Sequence, residues 1–489
     1  MTSKSQTEHE TEIEPAQEAS VEHIDFSENL KDERQVDKFG SAAKVDLKEI
    51  ALVKKLDLYL MPILWFMYFL NFLCRNAIVN GKLNNLTKEL NMHNSDYNIC
   101  VSVFFIGLVY LTVLLYRFQD ITRLKPAFYL SSWMIAWSIV STLTVLVKDY
   151  HGMLASRIIL GFTEAPFYSG ACYLISLFYT RKETATRLAV FYTGNLLASS
   201  FSGLIAAGVF AGLDGHRSLS GWRWLFLIQG VVTFFVAIGG FFVLPNKPLD
   251  TPWLDAEERQ LAHARIARDT TEKRVATSSW AGLRDAAMDY RTWLFALMAN
   301  LHLSANNFKN YMPTAVETLG FSTTVTLVLT CPPYLFGAFT SIAVSWSSGH
   351  FNERTWHVTL SKAIAIAGFV LAMATYNIGA RYFSMFVFVG ATYGVNNIIL
   401  AWASATLGQT DEKKAAVLAI ANTLGNLSFV YTPYLWNDAD APLYRPAMIG
   451  GIAFSTGVVI VAWILKIIFI RTNKCIREEN VNAVNFYVY

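Results

Sequence analysis

The feature that most limits how this chain can fold is a series of apolar runs, each about 20 residues long and each ended by polar or Gly/Pro residues. Wound as a helix, a run of that length crosses the roughly 30 Å hydrocarbon core of a bilayer. Twelve runs can be read, near residues 58–78, 98–117, 126–147, 152–178, 187–211 and 222–244, then 292–314, 325–346, 357–377, 382–407, 415–435 and 447–470. Charged residues make up only 16% of the 489 positions and crowd into 1–57, 246–291 and 471–480, so the runs are nearly free of them. Length alone would suggest about three soluble domains, and the runs override that prior. With a net charge of +3 and no basic block interleaved with aromatics, no nucleic-acid partner is expected; the 14% aromatic content suits membrane interfaces. The five cysteines lack the paired spacing of a zinc site or disulfide framework, and no metal or cofactor is expected.

These runs divide the chain into a cytoplasmic disordered tail 1–57, a six-helix bundle 58–245, a cytoplasmic central loop 246–291, a second six-helix bundle 292–471 and a tail 472–489. Residues 1–46 carry no apolar core of a cleavable signal peptide, so insertion depends on the first span. Lys54, Lys55, Arg117, Arg123, Lys125, Arg181, Lys182, Arg187, Lys413 and Lys414 gather in the connections on one side, and the other side holds fewer basic residues. By the positive-inside rule both termini are cytoplasmic. The sequon at Asn85 then falls in the first outside loop, where glycosylation is allowed, whereas that at Asn426 lies inside a helix. The expected fold is an all-α membrane protein of twelve transmembrane helices in two six-helix bundles, the layout of the major facilitator superfamily. Hydropathy alone is shared with a channel or a membrane enzyme.

Local motifs narrow this. Ala155-Ser156-Arg157-Ile158-Ile159-Leu160-Gly161-Phe162-Thr163-Glu164-Ala165, with Phe178-Tyr179 and Glu183 through Arg187 after it, resembles the fourth-helix signature of the allantoate permease family of fungal anion:cation symporters. Gly221-Trp222-Arg223-Trp224, Tyr311-Met312-Pro313-Thr314, Pro332-Pro333-Tyr334 and Asp440-Ala441-Pro442 fit the same family, over roughly residues 55 to 470. Departures are Leu73-Cys74-Arg75, where the family commonly has Leu-Asp-Arg, Thr112-Val113-Leu114 for Pro-Ser-Asn, and the degraded loop motif Gln119 to Arg123. The resemblance implies proton-linked transport of small organic anions such as nicotinate, pantothenate, biotin or allantoate.

A charge at the centre of a membrane helix costs roughly 2.5–3.5 kcal/mol on insertion scales, so the few that occur should face a cavity or a partner. Arg157, Gly161, Glu164 and Tyr168 fall at i, i+4, i+7 and i+11 and therefore share a helix face. Tyr68, Asn71 and Arg75 form a second stripe, and His302, Asn306, Lys309 and Pro313 a third. The three stripes predict Arg75, Arg157 and Lys309 around an outward vestibule, with Glu164 and His302 near the midplane. In that reading Arg75 and Arg157 bind a carboxylate, while Glu164, with His302 as second candidate, carries the coupled proton. The structural alternatives are an Arg157–Glu164 charge pair, a helix-bridging His302 and a Lys309 that snorkels outward. Asn396, Asn397 and Tyr393, with Asn422 and Asn426, are further polar candidates, equally explained by interhelical hydrogen bonding. Pro332-Pro333 should kink its helix, the glycines 194, 203, 208 and 212 should permit close packing, and Glu257, Glu258, Arg259, Arg265 and Arg268 should form a solvated face.

The expectation is a proton-coupled importer of a small organic anion, a carboxylated vitamin such as nicotinate or pantothenate first. A permease for allantoate, a sulfonate or a small peptide is the alternative, followed by a non-transporting nutrient receptor. No nucleophile, base and metal-ligand grouping supports an enzyme. Its partners are the substrate, protons and lipid, and it should act as a monomer in the plasma membrane, an intracellular membrane remaining open.

Overall fold

A computed structural model describes residues 47–93, 95–117, 125–269, 279–407, 411–479 and Tyr487. The chain divides into residues 1–51, of which only the first turns of a helix from Leu47 are described, and a unit from Leu52 to Tyr489 that holds everything discussed below. Among the described residues every regular element is helical.

Among the described residues, ten helices are long and apolar enough to cross a membrane. They are spans 1 (Leu47–Gly81), 3 (Pro126–Leu143, with a turn to Leu146), 4 (Tyr150–Phe178), 5 (Arg181–Leu213), 6 (Gly221–Val243), 8 (Thr323–His350), 9 (Thr355–Ala374), 10 (Ile378–Thr406), 11 (Asp411–Tyr431, with a turn to Leu435) and 12 (Arg445–Glu479). Asp96–Arg117 supplies span 2, and span 7 is interrupted: Tyr290–Ala305, a tight turn Asn307–Asn310, then Met312–Glu317. With twelve spans alternating in direction, spans 1 and 12 start and finish at the same end, called here the basic end.

Most helices outrun their apolar runs because a helix stops where its terminal groups find caps, not where hydropathy falls. Asp149 accepts from Gly152 N at 2.8 Å to open span 4, and Thr180 and Glu183 form a reciprocal capping box for span 5. The break in span 7 has an equally local cause. Pro313 has no N–H to give the carbonyl of Lys309, four residues back, and its ring would crowd that carbonyl in a regular helix. Tyr334 of span 8 donates to the same carbonyl at 3.1 Å. Span 8 runs on without a break through Pro332 and Pro333, and the Leu329 carbonyl that Pro333 leaves free accepts from Tyr382 of span 10 at 3.0 Å.

The two halves meet along spans 2 and 11 and along spans 5 and 8. Gly203 of span 5 lies directly against Leu327 and Thr330 of span 8, and Gly194 against Trp65 of span 1. Gly208 and Gly212 face open space, so only two of the four glycines read as packing positions act as such.

The central loop corrects the expectation of a solvated face. Its helix Ala256–Asp269 is docked: Arg265 is buried, paired with Glu183 at 3.0 Å and donating to Phe178 O at 2.8 Å, and Glu258 pairs with Lys55 at 2.7 Å. Amphipathic spacing marks a polar face, and a polar face is also what meets the free Phe178 carbonyl at the end of span 4 and the acid Glu183 in the first turn of span 5. The Arg268 side chain, those of residues 112–117 and the segment 118–124 lie outside the described residues.

Candidate functional site

Span 4 carries the central stripe, and Gly161 determines what covers it. A methyl group there would run into the carbonyl oxygen of Phe104, and one on Gly107 would come 2.7 Å from the carbonyl oxygen of Ile158. With no side chains at these two positions, span 2 presses its backbone onto span 4. That contact sets the Phe104 ring between two guanidinium groups, 5.0 Å from that of Arg75 and 4.8 Å from that of Arg157. The Arg75 guanidinium also lies 4.4 Å from the Phe72 ring.

Glu164 is 3% exposed, and one of its oxygens accepts from Arg75 Nε at 3.1 Å and Nη2 at 2.9 Å. Its partner is therefore Arg75 rather than Arg157. Seven residues of helix separate Arg157 from Glu164, about 10 Å along the axis, whereas Arg75 arrives from span 1 at the level of the carboxylate. Arg157, also 3% exposed, leaves Nε and Nη1 without a hydrogen-bond partner among the described residues.

The interrupted span 7 places Lys309 on the other half. Its ammonium lies 4.2 Å from the centroid of the Phe429 ring of span 11. Phe429 is 4.5 Å from Phe105, and Phe105 is 5.1 Å from Phe104. A continuous series of buried aromatic faces thus joins the cations of the two halves. Lys309 also lines a narrow polar cleft between the halves with Asn76, Asn80, Ser199 and Ser202. His302 is fully buried with both ring nitrogens unpartnered among the described residues, and its electrostatic neighbours are Lys362 of span 9 and Lys309.

The sequence reading set the three cations around an outward vestibule. In the structure that end is sealed instead. Lys82 pairs with Asp438 at 2.8 Å, and Asn98 donates to Trp436 O at 3.4 Å while accepting from Tyr311 Oη at 2.7 Å. Apolar and aromatic surface from both halves closes over the cations, and stripe geometry within single helices holds no information about it.

The remaining candidates fall into three groups. Toward the basic end from Arg75, Tyr68 stacks on Phe191 at 4.3 Å and lies 5.9 Å from Tyr168, so these two belong to one aromatic cluster. Asn71 accepts from Arg75 at 3.5 Å, and Asn396 reaches across the halves to Tyr192 Oη at 3.3 Å. Others serve local structure: Asn422 accepts from Asn426 one turn on, and buried Asn306 closes the first segment of span 7. Asn85 is exposed, in a left-handed conformation just beyond span 1. Cys74, at the position of the family's acid, is fully buried with its sulfur 3.5 Å from Thr233 of span 6. Sequence reasoning missed Phe104, Phe429 and Tyr192, which carry no charge signal. It also passed over Lys362, the lone lysine of an apolar run, which is fully buried without a partner for Nζ among the described residues.

Twelve apolar spans in two packed halves, with charges enclosed where the halves meet, define a multi-pass membrane transporter. The Major Facilitator Superfamily model matches residues 64–433, and the chain belongs to that superfamily. It is 30% identical over 425 residues to the major facilitator-type transporter hxnP of Emericella nidulans, covering 85% of this chain and 84% of that one. It is likewise 30% identical over 420 residues to the MFS-type transporter efuF of Hormonema carpetanum, covering 83% of each. A bacterial homologue of the human lysosomal transporter Spinster, solved inward-facing and occupied, superposes with a TM-score of 0.64 at 16% identity, over 84% of this chain and 97% of its own. That likeness carries the fold alone.

Proposed function

We propose that the chain is a proton-coupled importer of a small organic anion, with a carboxylated vitamin such as nicotinate or pantothenate as the first substrate to test. One observation carries this reading: the enclosed charges do not balance. Glu164 is taken by Arg75, while Arg157, Lys309 and Lys362 have no acidic partner among the described residues. Buried cations left without counter-charge are costly, and an entering carboxylate offsets that cost. The unpaired Nε and Nη1 of Arg157 suit a carboxylate in fork geometry, and Lys309 reaches it from the other half.

Glu164 then serves as the proton carrier. An anion that draws Arg75 away leaves the carboxylate buried and unpaired, a state in which protonation is favoured. Proton and anion would cross together, and their release would restore the Arg75–Glu164 pair. The charge asymmetry of the connections supports placing the basic end, and with it both termini, in the cytoplasm, with Asn85 on the far face of the plasma membrane. The protein is taken to work as a monomer.

The test is uptake of a radiolabelled anion panel by proteoliposomes under an inward proton gradient, with and without a protonophore. Concentrative uptake of a carboxylate that collapses with the gradient is expected. Full proton-coupled accumulation by Glu164→Gln would falsify the assignment of the proton to that residue.

A further inference from the structure

Span 12 continues past its apolar run to Glu479, and this extension holds a residue from further along the chain. Asn473, 6% exposed, commits its whole side-chain amide to the backbone of Tyr487: Nδ2 donates to Tyr487 O and Oδ1 accepts from Tyr487 N, both at 2.9 Å. This double bond to one residue is the pairing that a neighbouring β-strand makes. The Tyr487 ring, partly buried, stacks at 5.4 Å and 23° on Phe469, one helical turn before Asn473 on the same face. Phe469 is fully buried, 6.3 Å from Phe295 of span 7 and 6.1 Å from Trp402 of span 10, so Tyr487 extends the aromatic core of the second half. The Arg291 guanidinium, at the start of span 7, lies 5.4 Å from the centroid of the same ring. Arg291 is itself fixed by two bonds to Asp289, at 2.9 and 2.7 Å, and Asp289 also accepts from Lys413 of span 11 at 2.9 Å.

We propose that Arg291, Phe469 and Asn473 form a socket for the chain that follows span 12, and that Tyr487 seated in it stitches the last helix of the second half to the first at the basic end. Neither helix carries the socket alone: Arg291 belongs to span 7, Phe469 and Asn473 to span 12. Tyr487 therefore finds its place only once the two spans have packed, and the seated tyrosine then opposes their separation. With the seat empty, Asn473 loses both hydrogen bonds and the Phe469 ring loses its cover, so each favours occupation. The inference does not depend on which solute the protein carries.

Lactoperoxidase iodination of the full chain in detergent, followed by peptide mass, reads the seat directly. The internal reference is Tyr376, which is 68% exposed. In the wild type, Tyr487 should be iodinated at least about tenfold more slowly than Tyr376, the protection given by two hydrogen bonds and a stacked ring. Asn473→Ala removes both backbone bonds and should raise the Tyr487 rate about five- to fiftyfold, with Tyr376 unchanged. A second measurement tests the stitch. Tyr487→Ala and Asn473→Ala should each lower the thermal midpoint, and the double variant should fall little further than the larger single loss, because either change empties the same seat. Equal rates for Tyr487 and Tyr376 in the wild type, or an unchanged Tyr487 rate in Asn473→Ala, overturns the socket. Midpoints that do not fall, or that fall additively, overturn the stitch.

Discussion

Gly107→Ala probes the joint on which the site is built. The added methyl would sit 2.7 Å from the carbonyl oxygen of Ile158 and 3.3 Å from the amide nitrogen of Phe162, both backbone atoms that no rotamer change can move aside. Ordinary contact begins near 3.4 Å, so spans 2 and 4 must part by roughly half an ångström or more. Overpacking of this kind costs about 1–3 kcal/mol. The displacement falls one turn from Phe104 and beside Arg157, so it should loosen the ring from both guanidiniums and lower transport as well as stability. The matched control is Gly208→Ala, in span 5, where a methyl meets nothing and helix propensity alone favours alanine by up to about 1 kcal/mol. Purified variants are compared by loss of the monodisperse fraction on heating, and by initial uptake rate in proteoliposomes. Gly107→Ala should lose both while Gly208→Ala keeps both. Equal thermal midpoints for the two variants would refute the claim that direct backbone contact at Gly107 and Gly161 positions the site.

Three further outcomes are expected. Tyr334→Phe leaves the Lys309 carbonyl without its donor and should cost about 1–3 kcal/mol, read as lower thermal stability with altered KM for whatever anion is carried. Arg265→Met removes the cation that pairs with the buried carboxylate of Glu183, which keeps its capping bond from Thr180 N, and should lower the thermal midpoint, while the double variant with Glu183→Gln recovers part of the loss. Acid sensitivity should include a contribution from Asp289: burial raises its carboxyl, but hydrogen bonds from Arg291 and Lys413 prevail and hold it at about 2. Because the folded value is depressed, that stabilisation is complete above the ordinary carboxyl range near 3.9 and is lost as pH falls toward 2. In Asp289→Asn, the part of the acid-induced fall in thermal midpoint between about pH 4 and 2 that this group supplies should vanish.

How far the sequence could be read follows from which forces act within one helix and which between helices. Hydropathy places all twelve spans, because bilayer insertion is a property of each segment by itself. It misses their ends, which are governed by caps such as Asp149. Stripe geometry brings Tyr68, Asn71 and Arg75 to one side of span 1 and Arg157, Glu164 and Tyr168 to one side of span 4. Which arginine takes the carboxylate is an interhelical matter, decided by the level at which Arg75 arrives. Phe104 and Phe429, which mediate between the cations, have no signature in an apolar run. Arg265 shows the opposite failure: its spacing is visible, but a polar helix face reads the same whether it meets water or a buried glutamate.

The two proline-freed carbonyls have a consequence for which sequence changes this half of the protein can absorb. The Lys309 carbonyl is held by Tyr334, the residue after Pro333, and the Leu329 carbonyl that Pro333 frees is held by Tyr382. Spans 7, 8 and 10 are thereby linked, Pro313 dependent on a hydroxyl from span 8 and Pro333 on one from span 10. A regular helix restored by Pro313→Ala would bring its own donor to the Lys309 carbonyl and make the Tyr334 hydroxyl superfluous. Variation at these positions is therefore constrained in pairs: a phenylalanine harmful at 334 or 382 on its own becomes tolerable once the proline that needs it is gone.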